Sequence, residues 1–359
     1  MGRLMPEPTN GNLPNSPFMK KGILLQLILI ITIQLVAQKQ EKQNFKIMCY
    51  NADNFFDCVH DSLSNDNEFL PSGIRAWNYS KYQKKQSNIA KVITAIGGWD
   101  APALVGLCEV ESDKCLYDLT HYSGLKNFRY NYIHHDSPDP RGIDVALLYQ
   151  PIQFKPIHNE AIRIHFPMAP ENKTRDVLFV SGIIPTGDTL HVFVCHFPSR
   201  LGGEMESQDK RKFVASVIRS KVDSIYTVNG HPRIVIMGDF NDFPTSSSIA
   251  EDLKANPITG SVLATRLYNL MYNLQLEGKG SNKFKGEWGT LDQIIISGEL
   301  LNPSGSFFTS QDHAHIFDAS FLLENDKAFL GKQPFRTYAG LKYQDGYSDH
   351  LPVYADFWY

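Results

Sequence analysis

The sequence predicts an α/β fold in which two sheets pack face to face with helices outside. Three observations point to it. Short apolar runs recur at residues 45–50, 104–108, 130–134, 143–149, 177–184, 190–196, 233–238, 292–297 and 352–358, with the length and composition of buried strands. Only a few well-separated helical stretches lie between them, which favours sheet-on-sheet packing over a parallel sheet wound by helices. At 359 residues, 42% hydrophobic and 20% charged, the chain is long enough to bury one large core.

The helical stretches carry their own punctuation. Ser80 followed by Gln83 reads as a capping box, Ile89, Val92, Ile93 and Ile96 give a buried face, and Gly97-Gly98 stops the helix. A second helix, about 206 to 226, places Phe213, Val214, Val217, Ile218, Val222 and Ile225 on one side. Lys210, Arg211 and Lys212 read as its solvated face. The Asp-, Asn- and Ser-rich stretch 57–67 reads as a solvated loop, because it lacks the spacing and central glycine of a calcium loop.

The first 40 residues are of a different character. Met19-Lys20-Lys21 and an apolar run from Gly22 to Val36 have the form of a basic segment and the hydrophobic centre of a signal peptide. The expectation is a leader over 19–38, cleaved near Ala37, with residues 1–18 as a polar upstream extension. The protein is then exported, periplasmic or extracellular, with no stable membrane partner after leader removal, and monomeric. Cys49, Cys58, Cys108, Cys115 and Cys195 form no disulfide framework and no zinc spacing; they read as buried and free. A net charge of −3 argues against broad electrostatic wrapping of nucleic acid, though a cleft needs only local positive charge.

Chemistry-bearing residues sit at the ends of the apolar runs. Lys46-Ile47-Met48-Cys49-Tyr50 leads to Asn51 and Asp53, Leu104-Val105-Gly106-Leu107-Cys108 to Glu109, and His191-Val192-Phe193-Val194-Cys195 to His196. Ile234-Val235-Ile236-Met237 leads to Gly238-Asp239-Phe240-Asn241, and Ser348-Asp349-His350 precedes the last run. Polar groups gathered at strand ends are how a metal-assisted phosphate-cleaving site is built.

With these motifs the sequence resembles the endonuclease/exonuclease/phosphatase superfamily of metal-dependent phosphodiesterases, which includes pancreatic-type deoxyribonuclease, apurinic endonucleases, bacterial sphingomyelinases and inositol polyphosphate 5-phosphatases. Gly238-Asp239-Phe240-Asn241 and Ser348-Asp349-His350 carry the likeness most specifically, with Thr290-Leu291-Asp292-Gln293 as a weaker element, and it spans residues 44–359. The resemblance implies a four-layer α/β/β/α sandwich of two mixed sheets with the site at the sheet edges. It implies Mg²⁺, with Mn²⁺ and Ca²⁺ as alternatives, held by Asn51, Glu109 and Asp349, and it makes Asp53 an acid behind that set.

By the same resemblance His350 and Asp292 are a base and its orienter, Asp239 and Asn241 align the attacking water and hold a phosphate oxygen, and His196 is the candidate acid. Asp239 and His350 both stay open as the group that takes the proton. Arg141, Arg175 and Arg200, near strand ends, are candidate phosphate clamps, because a guanidinium fork matches phosphate oxygens. A secreted endonuclease is the leading expectation, with a nucleic acid or other phosphodiester as substrate. A sphingomyelinase-like or other small-molecule phosphodiesterase or phosphatase is the alternative, and a non-catalytic binding protein on the same scaffold the last. Trp288-Gly289-Thr290 and Asp242-Phe243 depart from the inositol 5-phosphatase pattern.

Overall fold

Strands were expected at the apolar runs, and they form there, within one or two residues at each end except that β1 runs five residues further. In the computed structural model, which describes residues 1–2, 42–200 and 202–359, one sheet contains β1 (Asn44–Phe55), β2 (Leu104–Val110), β3 (Asn131–His134), β4 (Asp144–Tyr149), β14 (Ala314–Ile316) and β19 (Val353–Trp358). The other contains β5 (Lys155–Ile162), β6 (Val177–Ile183), β7 (Thr189–His196), β8 (Arg233–Asp239), β9 (Ala255–Asn256), β10 (Leu267–Asn269) and β13 (Asp292–Ser297). Hairpins are made by β11 (Asn282–Phe284) with β12 (Glu287–Gly289), β15 (Leu323–Asn325) with β16 (Lys332–Pro334), and β17 (Tyr338–Ala339) with β18 (Lys342–Tyr343). The leader over 19–38 and nearly all of the extension over 1–18 lie outside the described residues.

The first sheet runs in the order β14-β19-β1-β2-β4-β3 and the second β5-β6-β7-β8-β13-β10-β9. Each mixes parallel pairs, β1 with β2 and β7 with β8, with antiparallel ones such as β8 with β13. Alternate side chains of the two inner faces make the central core: Ile47, Leu104 and Leu147 from one sheet meet Val192, Val235, Met237 and Ile294 from the other. On the outer face of the first sheet, Met48, Val105 and Leu148 pack under α1 (Tyr79–Gly97) and α2 (Asp113–Tyr122). On the outer face of the second, Phe193, Ile234 and Ile236 pack under α3 (Glu204–Val228). The four-layer α/β/β/α sandwich is therefore the architecture.

Two glycines mark close approaches. A Cβ on Gly106 would lie 3.0 Å from Met237 Cε, so the absent side chain leaves room for a methionine of the opposite sheet. Gly238 has φ +153°, and a Cβ there would stand 1.8 Å from the Cys195 carbonyl oxygen. Only glycine lets β8 end against β7 in that conformation.

Several local expectations need correction. The N-cap of α1 is Asn78, whose side chain accepts from the Lys81 N–H at 3.1 Å; Ser80 already lies inside the helix. Asn precedes the first periodic residue as well as Ser does, and its backbone alone is extended there. The stretch 57–67 is built around Asp66, only 1% exposed, which accepts from the Asp61 N–H at 2.8 Å and pairs with the His60 ring at 2.6 Å. Arg211 is fully buried: its Nε lies 2.8 Å from Asp242 Oδ2 and its Nη1 donates to Ser207 Oγ at 2.6 Å. Helical phase puts it beside Val214 and Ser207, where a charge needs a partner that sequence spacing does not show.

Because Asp242 is buried as well, removing one partner leaves an uncompensated charge. Arg211→Ala is expected to lose about 3–5 kcal/mol of unfolding free energy in urea. A loss below about 1 kcal/mol, the usual yield of a surface pair, would show that the face is solvated after all.

Candidate active site

Three of the strand-end residues occupy one rung of the second sheet. The parallel register of β7 and β8 sets His196 beside Asp239, and the antiparallel register of β8 and β13 sets Asp239 beside Asp292. The first sheet supplies the rest: Asn51 from β1, Glu109 from β2, and Asp349 and His350 from the segment entering β19. The two groups meet at one atom. Asp239 Oδ2 accepts from Asn51 Nδ2 at 3.0 Å, and the Nε2 atoms of His196 and His350 stand 3.5 and 3.8 Å from it. Its other oxygen accepts the Asn241 N–H at 2.9 Å. His350 Nδ1 pairs with Asp292 Oδ2 at 2.6 Å, and Ser348 Oγ accepts the His350 N–H at 3.0 Å while donating to the Asn51 carbonyl at 2.7 Å.

The backbone at these strand ends is unusual. Asp53, Asn54, Glu109 and Asn241 have φ of 51°, 62°, 61° and 49°, a left-handed region that non-glycine residues seldom enter. Strain of this kind persists where surrounding bonds over-determine it. Here Asn51 Oδ1 accepts the Asp53 N–H at 3.0 Å and Glu109 Oε2 accepts the Asn54 N–H at 3.0 Å. Register shifts between Asn51 and Phe55, and between Cys108 and Val110, put the bends at the functional residues.

Burial raises Asp239 to about 6, with His350 opposing the rise and Asp292 adding to it. Burial alone would lower His350, but Asp292, Asp239 and the bond to Asp292 carry it well above the ordinary histidine value. His196 goes the other way: burial, then the positive charges of Arg175, Arg141 and His350, push it well below. Burial and neighbouring charges thus drive the two rings in opposite directions, His350 toward its charged form and His196 toward its neutral form.

A family model described as endonuclease/exonuclease/phosphatase matches residues 46–357. The chain belongs to the endonuclease/exonuclease/phosphatase family. This family consists of metal-dependent phosphoesterases. No curated protein matches the chain. Among solved structures, a Bacteroides thetaiotaomicron protein of the same family aligns at TM-score 0.55 and 14% identity, over 88% of this chain and 98% of that one. A mannosyl-6-phosphatase from the same organism aligns at 0.53 and 15%, over 87% and 99%. D. rerio TDP2 complexed with a single-strand DNA product aligns at 0.52 and 13%, over 88% and 99%. At these identities the likeness is one of fold.

The family's need for a divalent cation finds suitable donors here. Asp53 and Asp349 line one cavity, and Asp349 is raised to about 6 by burial and by the charge of Asp53, with Glu109 adding to the rise. Carboxylates crowded in this way favour a hard cation with oxygen ligands. Asp239, Asp292 and His350 also lie within ligand distance of one another. Asp292, however, is fully buried and bonded to the imidazole, so that trio reads better as a carboxylate–histidine pair beside an acceptor. Asn51, expected as a ligand, has Nδ2 on Asp239 and Oδ1 on the Asp53 N–H. Asn51 thus bridges the two sheets, while Asp53 and Asp349 line the cavity.

The three candidate phosphate clamps separate. Arg141 is half exposed, with Nη2 donating to Asn54 Oδ1 at 2.6 Å and standing 3.4 Å from Glu109 Oε2, so it borders the acids. Arg175 is buried against Asp139 at 2.9 Å and donates to the Phe197 carbonyl at 2.7 Å. Arg200 donates to the Asn241 carbonyl at 2.7 Å and contacts Glu204 and Asp242 at 3.1 and 3.3 Å. The latter two hold the segments after His196 and Asp239; Arg175 lies just before β6 and Arg200 just after β7, and sequence does not show that acids wait for them.

Because Asp292 is fully buried and bonded to His350 Nδ1 at 2.6 Å, the two are expected to act as one unit. The double variant Asp292→Ala/His350→Ala is expected to lose little turnover beyond the worse single variant, each falling by about 10²–10⁴-fold. Additive losses would show Asp292 to be an independent acid.

Proposed function

We propose that the protein hydrolyses phosphodiesters with Mg²⁺ at the site where the two sheets meet, and that it acts as an exported nuclease. The observation that carries this reading is the pairing, at Asp239 Oδ2, of a buried acceptor with a histidine whose proton is held by Asp292. Beside them stand the carboxylates of Asp53, Glu109 and Asp349. A divalent cation bound there supplies charge neutralisation for an anionic ester.

The remaining chemistry is done by side chains. Asp239 and Asn241 align a water, and Asp239 accepts its proton as the water attacks phosphorus. The carboxylate suits this task because its proton affinity, raised to about 6, is high for an aspartate yet leaves it ionised at neutral pH. Protonated His350 lends its positive charge to the phosphoryl oxygens. The bond to the leaving oxygen breaks, and the alkoxide takes a proton from solvent. Arg141, exposed at the edge of the acids, is placed to meet substrate from solvent. The nuclease reading draws support from this local positive charge and from the single-strand DNA product with which the fold neighbour TDP2 is complexed.

A panel of bis(p-nitrophenyl) phosphate, p-nitrophenyl phosphate, duplex and single-stranded DNA, RNA and sphingomyelin tests the reading. Diesters are expected to be cleaved far better than the monoester, EDTA to abolish turnover, and Glu109→Gln to weaken Mg²⁺ affinity and activity together. Full activity in EDTA, or a preference for the monoester, would overturn it.

Export rests on Lys20-Lys21 and the apolar run behind them. Terminal sequencing of the exported protein is expected to begin near residue 38; recovery of residues 1–18 would contradict cleavage.

A further inference from the structure

Next to the acids lies a cavity of about 210 Å³, and its walls include two guanidinium groups that no motif announces, Arg75 and Arg336. Asp53 and Asp349 line it as well.

The two arginines differ in a way that matters. Arg75 is fixed: its Nε donates to Glu68 Oε2 at 2.9 Å, its Nη1 donates to the Gly340 carbonyl at 3.1 Å, and its plane lies between the rings of Phe69 and Tyr338 at 5.2 and 5.1 Å. Arg336 makes no hydrogen bond or ion pair among the described residues, although it lines the same cavity. Its backbone is nonetheless held. The neighbouring Thr337 accepts from the buried ammonium of Lys85 at 2.6 Å, and the Phe335 carbonyl accepts the Tyr347 N–H at 2.6 Å. Gly346 packs so closely that a Cβ there would lie 2.2 Å from the Arg336 carbonyl oxygen. A rigid segment thus presents an uncommitted guanidinium to a cavity that opens beside the carboxylates.

The charge of Arg336 acts on Asp349, opposing the rise that burial and Asp53 cause; a divalent cation held by these acids would draw on the same carboxylate and leave the guanidinium donors for substrate. A guanidinium fork with free donors fits the oxygens of a phosphate. We propose that Arg336, backed by Arg75, binds a second phosphate of the substrate, adjacent to the ester that is cleaved. This rests on the phosphoesterase reading of the site and adds a specificity-determining residue to it. Two sources share that chemistry: the next phosphodiester along a polynucleotide, and a terminal phosphate on a small bisphosphorylated molecule.

The test compares kcat/KM for bis(p-nitrophenyl) phosphate, the dinucleotide dTpdT, the same dinucleotide with a 5′-phosphate, and the trinucleotide dTpdTpdT, in the intact protein, Arg336→Gln and Arg336→Lys. Calorimetry of thymidine 3′,5′-bisphosphate and thymidine 5′-phosphate with Mg²⁺ gives a readout apart from turnover, and thermal melting checks the fold. A second phosphate is expected to raise kcat/KM about tenfold or more, chiefly through KM, as a charge-assisted bidentate contact does. Arg336→Gln is expected to erase most of that advantage and the tighter binding of the bisphosphate, and Arg336→Lys to restore part of both. An advantage for the trinucleotide identifies the polynucleotide source; one confined to the 5′-phosphorylated dinucleotide and the bisphosphate identifies the terminal one. If bis(p-nitrophenyl) phosphate is not hydrolysed, the phosphoesterase reading itself fails. If it is hydrolysed but a second phosphate brings no advantage, or Arg336→Gln lowers every substrate equally, the proposal for Arg336 fails alone.

Discussion

One buried carboxylate joins the two halves of the sandwich. Asp239 is 1% exposed and ends the central strand of the second sheet, yet it accepts a hydrogen bond from Asn51 of the first. An ionised group in such a place is costly unless it is surrounded by donors and positive charge. The surroundings comply: Asn51 Nδ2, the Asn241 N–H and the protonated ring of His350 all bear on it. The same set that makes burial tolerable also ties Asn51 of the first sheet to Asp239 of the second, so the geometry of the site spans both sheets.

The consequence is a division of labour between sheets. The second sheet holds the proton-handling groups on one rung, where strand register sets their spacing. The first sheet ends in bends, with Asp53, Asn54 and Glu109 in left-handed conformations, and Glu109 Oε2 accepts the Asn54 N–H there. Arg175 and Arg200, each committed to a buried acid, stiffen the loops between them. Arg141 borders Glu109, and Arg336 lines the cavity that includes Asp53 and Asp349.

Much of this was legible in the sequence. Buried strands are read from apolar runs, and polar residues at their ends from simple position, so β1, β2, β7, β8, β13 and β19 and the residues they deliver were in view. Other features have no such signal. The edge strand β5 is exposed along most of its length, so its sequence carries no continuous apolar run. Arg211 and Arg175 look like any surface arginine until their partners, Asp242 and Asp139, are brought to them by contacts between distant segments. The opposite directions in which the two histidines shift turn on which charges surround each ring. Arg336 lies in an irregular segment between short hairpins, where residue type says nothing about exposure.

The most direct test is the turnover of bis(p-nitrophenyl) phosphate by Asp239→Asn at saturating Mg²⁺, with thermal unfolding followed on the same sample. Asparagine keeps the shape and removes the charge and the proton acceptor. If the carboxylate is both the join between the sheets and the acceptor in the reaction, the variant stays folded while its turnover falls by about 10²–10⁴-fold. A folded variant with turnover close to that of the unaltered protein would contradict the account.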